Sequence, residues 1–332
     1  MRSPFDAISE ETLRKVLTER WGLAITELRY LPVGAGAYHW VADTSDHQRY
    51  FVTCDDLDTK PWLGSDRDAV FDGLRNAYTT ACDLRAGGLT FVIAPIVSNS
   101  GVSAERVDDR HSVSVFEHVD GRLTAWGGSL PRFERDQLVS MLAQLHQAPT
   151  TGRIAERPFA VPGRADLEAA LADLHRPWDG GPLSEAARRE LASRLDVVDS
   201  LLDQVDHFAA KAASDRRKVV THGEPHPGNL IHTASGLVMV DWDTVALAQP
   251  ERDLWMLGFD EAMLVRYERL THATVDRQAL AAHRLMWALT DVVAYTTQLR
   301  GQHEAGADAE WALLAIRSIL EGEEPSPYGT SP

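Results

Sequence analysis

The chain has 332 residues, 44% of them apolar, enough to bury a substantial core in one large domain or two lobes. A formal net charge of -16 with only four lysines excludes a general nucleic-acid binder, since phosphate neutralisation needs clustered Lys and Arg; the charge suits a cationic partner or plain solubility. Cys54 and Cys82 are too few for a disulfide framework or a cysteine metal site, and with neither a bilayer-length apolar run nor a signal-like start, a cytoplasmic protein without a membrane span is expected.

A helical pattern runs from Glu10 to Trp21, after which LRYLPVGAGAYHWVAD and RYFVTCDD alternate apolar and polar residues, predicting strands of one sheet. Residues 66–86 carry Val70, Leu74, Ala77, Ala81 and Leu84 at helical spacing and stop at Gly87 and Gly88. Short strands are expected again at TFVIAPIV, SAERVDD and HSVSVFEHV, separated by the turn signals SNSG and DDR. After Gly121 the character changes. LVSMLAQLHQ, ADLEAALADLH, SEAARRELASRLDVVDSLLDQVDHFAAKAA and most of 251–320 are helix formers, while TTGRIAERPFAVPGR and EEPSPYGTSP read as loose. The order predicts an α+β protein with a β-rich part, residues 1–119, followed by a helical part, residues 120–332.

The stretch VVTHGEPHPGNLI, residues 219–231, is the most unusual in the chain. His222 and His226 are spaced as zinc ligands on a helix would be, but Gly223, Pro225, Pro227 and Gly228 deny the segment a helix. A dinucleotide loop at VGAGAYHW also fails, because Tyr38, His39, Trp40 and Val41 lead into a strand and not a helix. What remains is a rigid loop bearing the Glu224 carboxylate, the Asn229 amide five residues on, and a strand GLVMV that delivers Asp241. Hard oxygen ligands plus a carboxylate that can take or orient a hydroxyl proton are what magnesium-dependent phosphoryl transfer requires.

At these residues the chain resembles the aminoglycoside phosphotransferases, small-molecule kinases of protein-kinase-like, two-lobed fold. THGEPHPGN followed by MVDWD is similar to the family's catalytic loop and metal-binding strand; LPVGAGAYHWVA looks like its phosphate-covering hairpin, VFEHVDGR like its lobe-joining segment and PERDLWML like the helix after the metal site. The resemblance implies ATP or GTP and Mg2+ as cofactors, Glu224 as catalytic base, Asn229 and Asp241 as metal ligands, and His222 as the residue ordering the loop. It implies Gly34 and Gly36 over the phosphates, and Phe116 at the back of an adenine pocket with the Glu117 carbonyl and Val119 amide on the purine edge. His222 and His226 are read as satisfying backbone carbonyls before moving protons, and Asp243 as a structural acceptor or a metal or substrate contact. Three positions depart from the family pattern. Glu224 stands where aspartate is usual; Thr53 occupies the register of the phosphate-binding lysine, leaving Lys60 as candidate; and the helix that should supply the lysine's glutamate has only Asp66, Asp68, Asp72 and Asp83, of which Asp72 faces a plausible direction.

For the acceptor, the resemblance points to helices bearing Asp253, Trp255, Asp260, Glu261, Trp287, Asp291 and Tyr295, a set suited to a cationic, hydroxyl-rich molecule. Chain length and hairpin are most similar to the spectinomycin phosphotransferases, implying an aminoglycoside or aminocyclitol acceptor and a resistance role. A metabolic kinase acting on an amino sugar, choline or homoserine shares every nucleotide-side residue, and Glu224 with Thr53 also leaves open a catalytically silent binding protein.

Overall fold

The computed structural model describes residues 8–33, 36–124, 130–150, 154–212, 217–257 and 260–322. They form two compact units, one comprising Met1–Ala125, Arg132–Glu156 and Val219–Leu247, the other Trp126–Pro131, Arg157–Lys218 and Ala248–Pro332. The expected division after residue 119 follows the change from strands to helices along the chain, whereas the packing units are discontinuous because residues 219–247 return to the sheet-bearing unit.

In the first unit α1 (Glu10–Trp21) starts where the Ser9 hydroxyl accepts the Thr12 amide and stops at Gly22, which turns left-handed. Strands β1 (Ile25–Leu31), β2 (Ala37–Thr44) and β3 (Arg49–Asp56) follow, then a single 3-10 turn over Leu57–Thr59, helix α2 (Arg67–Ala86), β4 (Glu105–Arg106) and β5 (His111–Glu117). The strands make one antiparallel sheet in the order β1-β2-β3-β5-β4. Trp40, Ala42, Val52, Cys54, Val113 and Val115 share a core with Leu13, Leu17 and Trp21 of α1, and Phe116 joins Leu74 and Tyr78 of α2 in a second one. Side chains alternate across a strand, so with Val52 and Cys54 in the first core, Thr53 and Asp55 emerge on the opposite face.

Two expected strands are shorter than their sequences suggest. Residues 90–97 make only isolated bridges, Val92 to Met239 and Pro95 to Phe116, because Pro95 has no N–H with which to continue a ladder. SAERVDD contributes Glu105 and Arg106 alone. The unit is completed by β6 (Arg122–Leu123), α3 (Arg132–Leu145), β7 (Val219–Thr221), β8 (Leu230–Thr233), β9 (Gly236–Met239) and β10 (Ala246–Ala248), with β6, β8 and β9 in one small sheet and β7 paired to β10.

The second unit is helical: α4 (Arg164–Ala172), α5 (Ser184–Ser193), α6 (Leu195–Ala212), α7 (Glu251–Leu254), α8 (Glu261–Thr271), α9 (Arg277–Arg300) and α10 (Ala307–Leu320). Leu167, Leu191, Val198, Leu289, Val292 and Ile316 lie in its common core. The run 184–212 reads as one helix but breaks at Arg194, which leaves helical geometry at φ -133° and clamps Glu190 and Glu321 with its guanidinium. Among the described residues no helix is long and apolar enough to cross a membrane.

Candidate active site

In the first unit the loop between β7 and β8 carries His222, Glu224 and Asn229. Gly223 adopts φ +101°, a value that side chains disfavour, and the reversal it allows brings the Glu224 amide back onto the His222 ring. His222 Nδ1 accepts that amide at 3.1 Å, so its proton resides on Nε2, which donates to the Val240 carbonyl at 2.9 Å. His222 is fully buried, with the Trp242 ring edge-on at 4.6 Å, and the Thr244 hydroxyl donates to its carbonyl at 2.7 Å. One imidazole thus ties the Glu224 backbone to the residue that precedes Asp241.

Asn229 closes the loop from the other side. Its Nδ2 donates to the Glu224 carbonyl at 3.0 Å, leaving Oδ1 as the atom able to face a cation. The Val240 amide donates to the Asn229 carbonyl at 3.0 Å, one step beyond the Leu230–Met239 pair, so the β8–β9 ladder sets Asn229 and Asp241 side by side at its open end. Asp241 is held at φ 66°, a left-handed conformation uncommon outside glycine that aspartate tolerates better than most residues. The protein surrounding its carboxyl, then the like charges of Asp243 and Asp55, raise it to about 7, with Lys60 opposing. The Glu224 side chain is 29% exposed, with His226 Nε2 3.9 Å from its Oε2. Burial holds His226 down to about 3, so the ring is neutral and carries no charge to the carboxylate.

Lys60, from the loop after β3, is buried; its ammonium donates to Asp243 Oδ2 at 2.6 Å, stands 3.0 Å from Asp55 Oδ1 and lies 5.5 Å over the Trp62 ring. Burial alone would lower its pKa, but Asp243 and Asp55 hold it above the ordinary lysine range, so it stays charged. None of the four aspartates of the helix segment reaches it. Asp66 caps α2, Asp68 pairs with Arg106, Asp83 is exposed, and Asp72, the expected partner, is exposed beside Arg75 at 3.9 Å. What α2 turns toward Asp55, Asp243 and Asp241 is Tyr78, whose hydroxyl burial and those charges raise well above its usual range. Asp55 escaped sequence reasoning because an Asp–Asp pair ending a strand resembles the start of a turn; the one available signal was its alternation with Val52 and Cys54, which puts it on the face of Thr53.

Gly36 has φ +90°, and no atom lies within 4 Å of where a Cβ would stand, so backbone conformation and not space calls for glycine there; Gly34 lies outside the described residues. Phe116 is buried against Tyr78, while Glu117 at the end of β5 is exposed and Val119 half-buried.

In the second unit the candidate acceptor residues separate by environment. Asp253 is fully buried. Asp260 caps α8 by accepting the Ala262 and Met263 amides, and Glu261 pairs with Arg277 at 2.6 Å, so both serve local structure. Trp255 is buried with its ring 5.8 Å from that of Trp287. Trp287, Asp291 and Tyr295 follow one another at four-residue steps along α9 and share one half-buried face. Burial alone raises Asp291 to about 7, and no ion pair or hydrogen bond among the described residues offsets it.

The profile described as the phosphotransferase enzyme family (APH) matches residues 108–316, a span that holds the Glu224 loop, Asn229, Asp241 and α9. The chain belongs to this family. It is therefore a small-molecule kinase, an enzyme that transfers phosphate to hydroxyl groups. Its fold is similar to that of spectinomycin phosphotransferase solved with ADP and spectinomycin, at TM-score 0.73 and 17% identity over 96% of this chain and 100% of that one. A choline kinase from Streptococcus pneumoniae aligns at TM-score 0.57 and 14% identity over 94% and 99%, and an aminoglycoside phosphotransferase from Alicyclobacillus acidocaldarius at 0.55 and 15% over 98% and 96%. At such identities the likeness speaks for the protein-kinase-like fold alone. No curated protein sequence matches the chain.

Proposed function

We propose that this phosphotransferase uses ATP to phosphorylate a hydroxyl of a cationic aminocyclitol or aminoglycoside, spectinomycin-like in class, and acts in the cytoplasm as a resistance enzyme. The observation that carries the acceptor class is Asp291. A half-buried carboxylate with no ion-pair partner among the described residues, one helical turn from Trp287 and one from Tyr295, suits an ammonium group whose ring carbons lie against aromatic faces.

On the catalytic side, Glu224 would receive the acceptor proton as the hydroxyl attacks the terminal phosphorus, and His222 would keep its backbone fixed through the Nδ1 and Nε2 contacts. Asn229 Oδ1 and the Asp241 carboxylate are hard oxygen donors that fit magnesium. No three His, Cys, Asp or Glu side chains cage a metal among the described residues, so the ion would complete its coordination from phosphate oxygens and water. When bound, magnesium neutralises phosphate charge. Gly36 and Lys60 would attend the phosphates, and Phe116, Glu117 and Val119 the base. A choline-type acceptor is the second reading, because the same aromatic pair around one carboxylate also suits a quaternary ammonium.

The test is a nucleotide-coupled assay of purified protein against aminocyclitols, aminoglycosides and choline, with mass spectrometry of the product. Phosphorylated aminocyclitol supports the first reading, phosphocholine the second. Activity on neutral sugars alone, with Asp291→Asn leaving acceptor KM unchanged, would remove both.

A further inference from the structure

Two buried carboxylates share one ammonium in the first unit, and they do so unequally. The side chains of Lys60, Asp243 and Asp55 are 4%, 7% and 1% exposed, so their charges interact with little help from water. Asp243 receives an aligned 2.6 Å hydrogen bond from Lys60. It sits in the 3-10 turn over Trp242–Thr244, directly after Asp241. Asp55 meets Lys60 as an ion contact at 3.0 Å, and its oxygens have no further hydrogen-bond partner among the described residues. β3 is a central strand, and Asp55 is paired with Ala37 on one side and Ser112 on the other, so its carboxylate cannot move far without disturbing the sheet.

A fully buried carboxylate with unfilled hydrogen-bonding capacity is expensive, and an apolar residue would be the ordinary choice on such a strand. Lys60, by contrast, hangs on a flexible four-carbon stem from a loop, so its counter-ions determine where its head group stands. Burial raises the Asp55 carboxyl above the usual carboxylate range, with Lys60 opposing; with both carboxylates ionised the cluster carries one excess negative charge, and a phosphate can take the ammonium only if one of them yields it.

We infer that Asp55 is the fixed positioning residue for Lys60, holding the ammonium at the nucleotide phosphates while Asp243 is the partner that gives way. The strand thereby supplies the anchoring carboxylate that α2, with Tyr78 facing the cluster, does not. This inference rests on the reading of Lys60 as a phosphate contact, and the experiment separates the two.

The chain has four lysines, so the side-chain ammonium groups of protein labelled with 15N-lysine give few resonances. In the nucleotide-free protein one resonance should be protected from exchange, be absent from Lys60→Met, and broaden or shift in Asp55→Asn. An unmoved Lys60 resonance in Asp55→Asn overturns the inference without reference to nucleotide. Binding of a fluorescent ATP analogue, measured with magnesium and with EDTA, gives the second arm: Asp55→Asn should weaken it about tenfold or more, and should add nothing in the Lys60→Met background. Tighter binding by Asp55→Asn would make Asp55 a competitor of the phosphates and overturn the inference, as would an equal loss in the Lys60→Met background. If Asp55→Asn does not fold, Asp55→Leu combined with Lys60→Met removes both charges together, and its nucleotide affinity should equal that of Lys60→Met; a further loss refutes the anchoring role. A wild-type chain that shows the protected resonance but binds no nucleotide would defeat the phosphate reading of Lys60 and, with it, the inference.

Discussion

Shortening Glu224 by one methylene probes the loop most directly. The backbone on both sides of this residue is pinned: its amide donates to His222 Nδ1 at 3.1 Å, and its carbonyl accepts Asn229 Nδ2 at 3.0 Å. Neither anchor can follow the side chain, because His222 is itself held by Val240 at 2.9 Å and Asn229 by the His226 carbonyl at 3.0 Å. In Glu224→Asp the carboxylate therefore retracts by roughly 1.5 Å, one carbon–carbon bond, with no backbone shift to restore it. A misplacement on the order of 1 Å at a reacting centre costs about a hundredfold, or ~2.7 kcal/mol in the barrier. A coupled assay on the best acceptor should show kcat lower by about that factor, with nucleotide KM and melting temperature near wild type. Glu224→Gln, which keeps length and loses the proton-accepting charge, should fall at least as far. Equal or higher turnover for Glu224→Asp would mean that the loop is not built around the longer side chain and that glutamate is a tolerated replacement.

Three further outcomes are expected. Asp241→Asn should lower kcat by orders of magnitude, since one ligand charge is lost at the transition state, while circular dichroism stays unchanged; wild-type turnover would remove Asp241 from the site. Asp291→Asn should raise the KM for a cationic acceptor about 10- to 100-fold with little change in kcat, as expected for the loss of a charge-assisted contact, and an unaltered KM would move the ammonium site elsewhere. Burial drives His283 down to about 3, so between pH 6.5 and 3 the unfolded chain binds a proton that the folded chain refuses. The stability this residue contributes is complete above about 6.5 and is lost as pH falls; urea titrations should show wild type losing up to ~1.4 kcal/mol per pH unit more than His283→Gln between pH 6 and 4, and equal slopes would refute the neutral buried ring.

Much of the site was legible because its chemistry is local. Gly223, Pro225 and Pro227 forbid a helix on their own account, and GLVMV followed by DWD announces a buried strand end bearing a carboxylate. The bounds of α1 were equally readable from Glu10 to Trp21, where apolar spacing and the capping serine agree. The lysine partner was hidden because it depends on distance in sequence. Lys60 and Asp243 are 183 residues apart, and nothing near Asp55 states that the lysine five residues later will fold back over it. A helix carrying four aspartates was the obvious place to look for that partner, and the packing of Tyr78 against Phe116 turns another face inward. The break at Arg194 was invisible for the same reason, since one of its carboxylate partners, Glu321, arrives from the far end of the chain.

The sheet-bearing unit is stitched from separated segments, and this has a consequence for how the protein is made. Residues 91–93 stay incomplete until Met239 arrives: its amide donates to the Phe91 carbonyl at 2.7 Å and its carbonyl accepts the Ile93 amide at 3.0 Å. A chain emerging from the ribosome can form β1, β2, β3 and β5 early, but segment 91–93 must wait through the synthesis of α4, α5 and α6 before β9 can dock on it. Such long-range closure is slow, and exposed edges invite self-association while they wait. Nascent chains released before residue 219 hold the five-stranded sheet without β9 or the loop that bears Glu224, and their unpaired 91–93 segment should make them more prone to self-associate than the full chain.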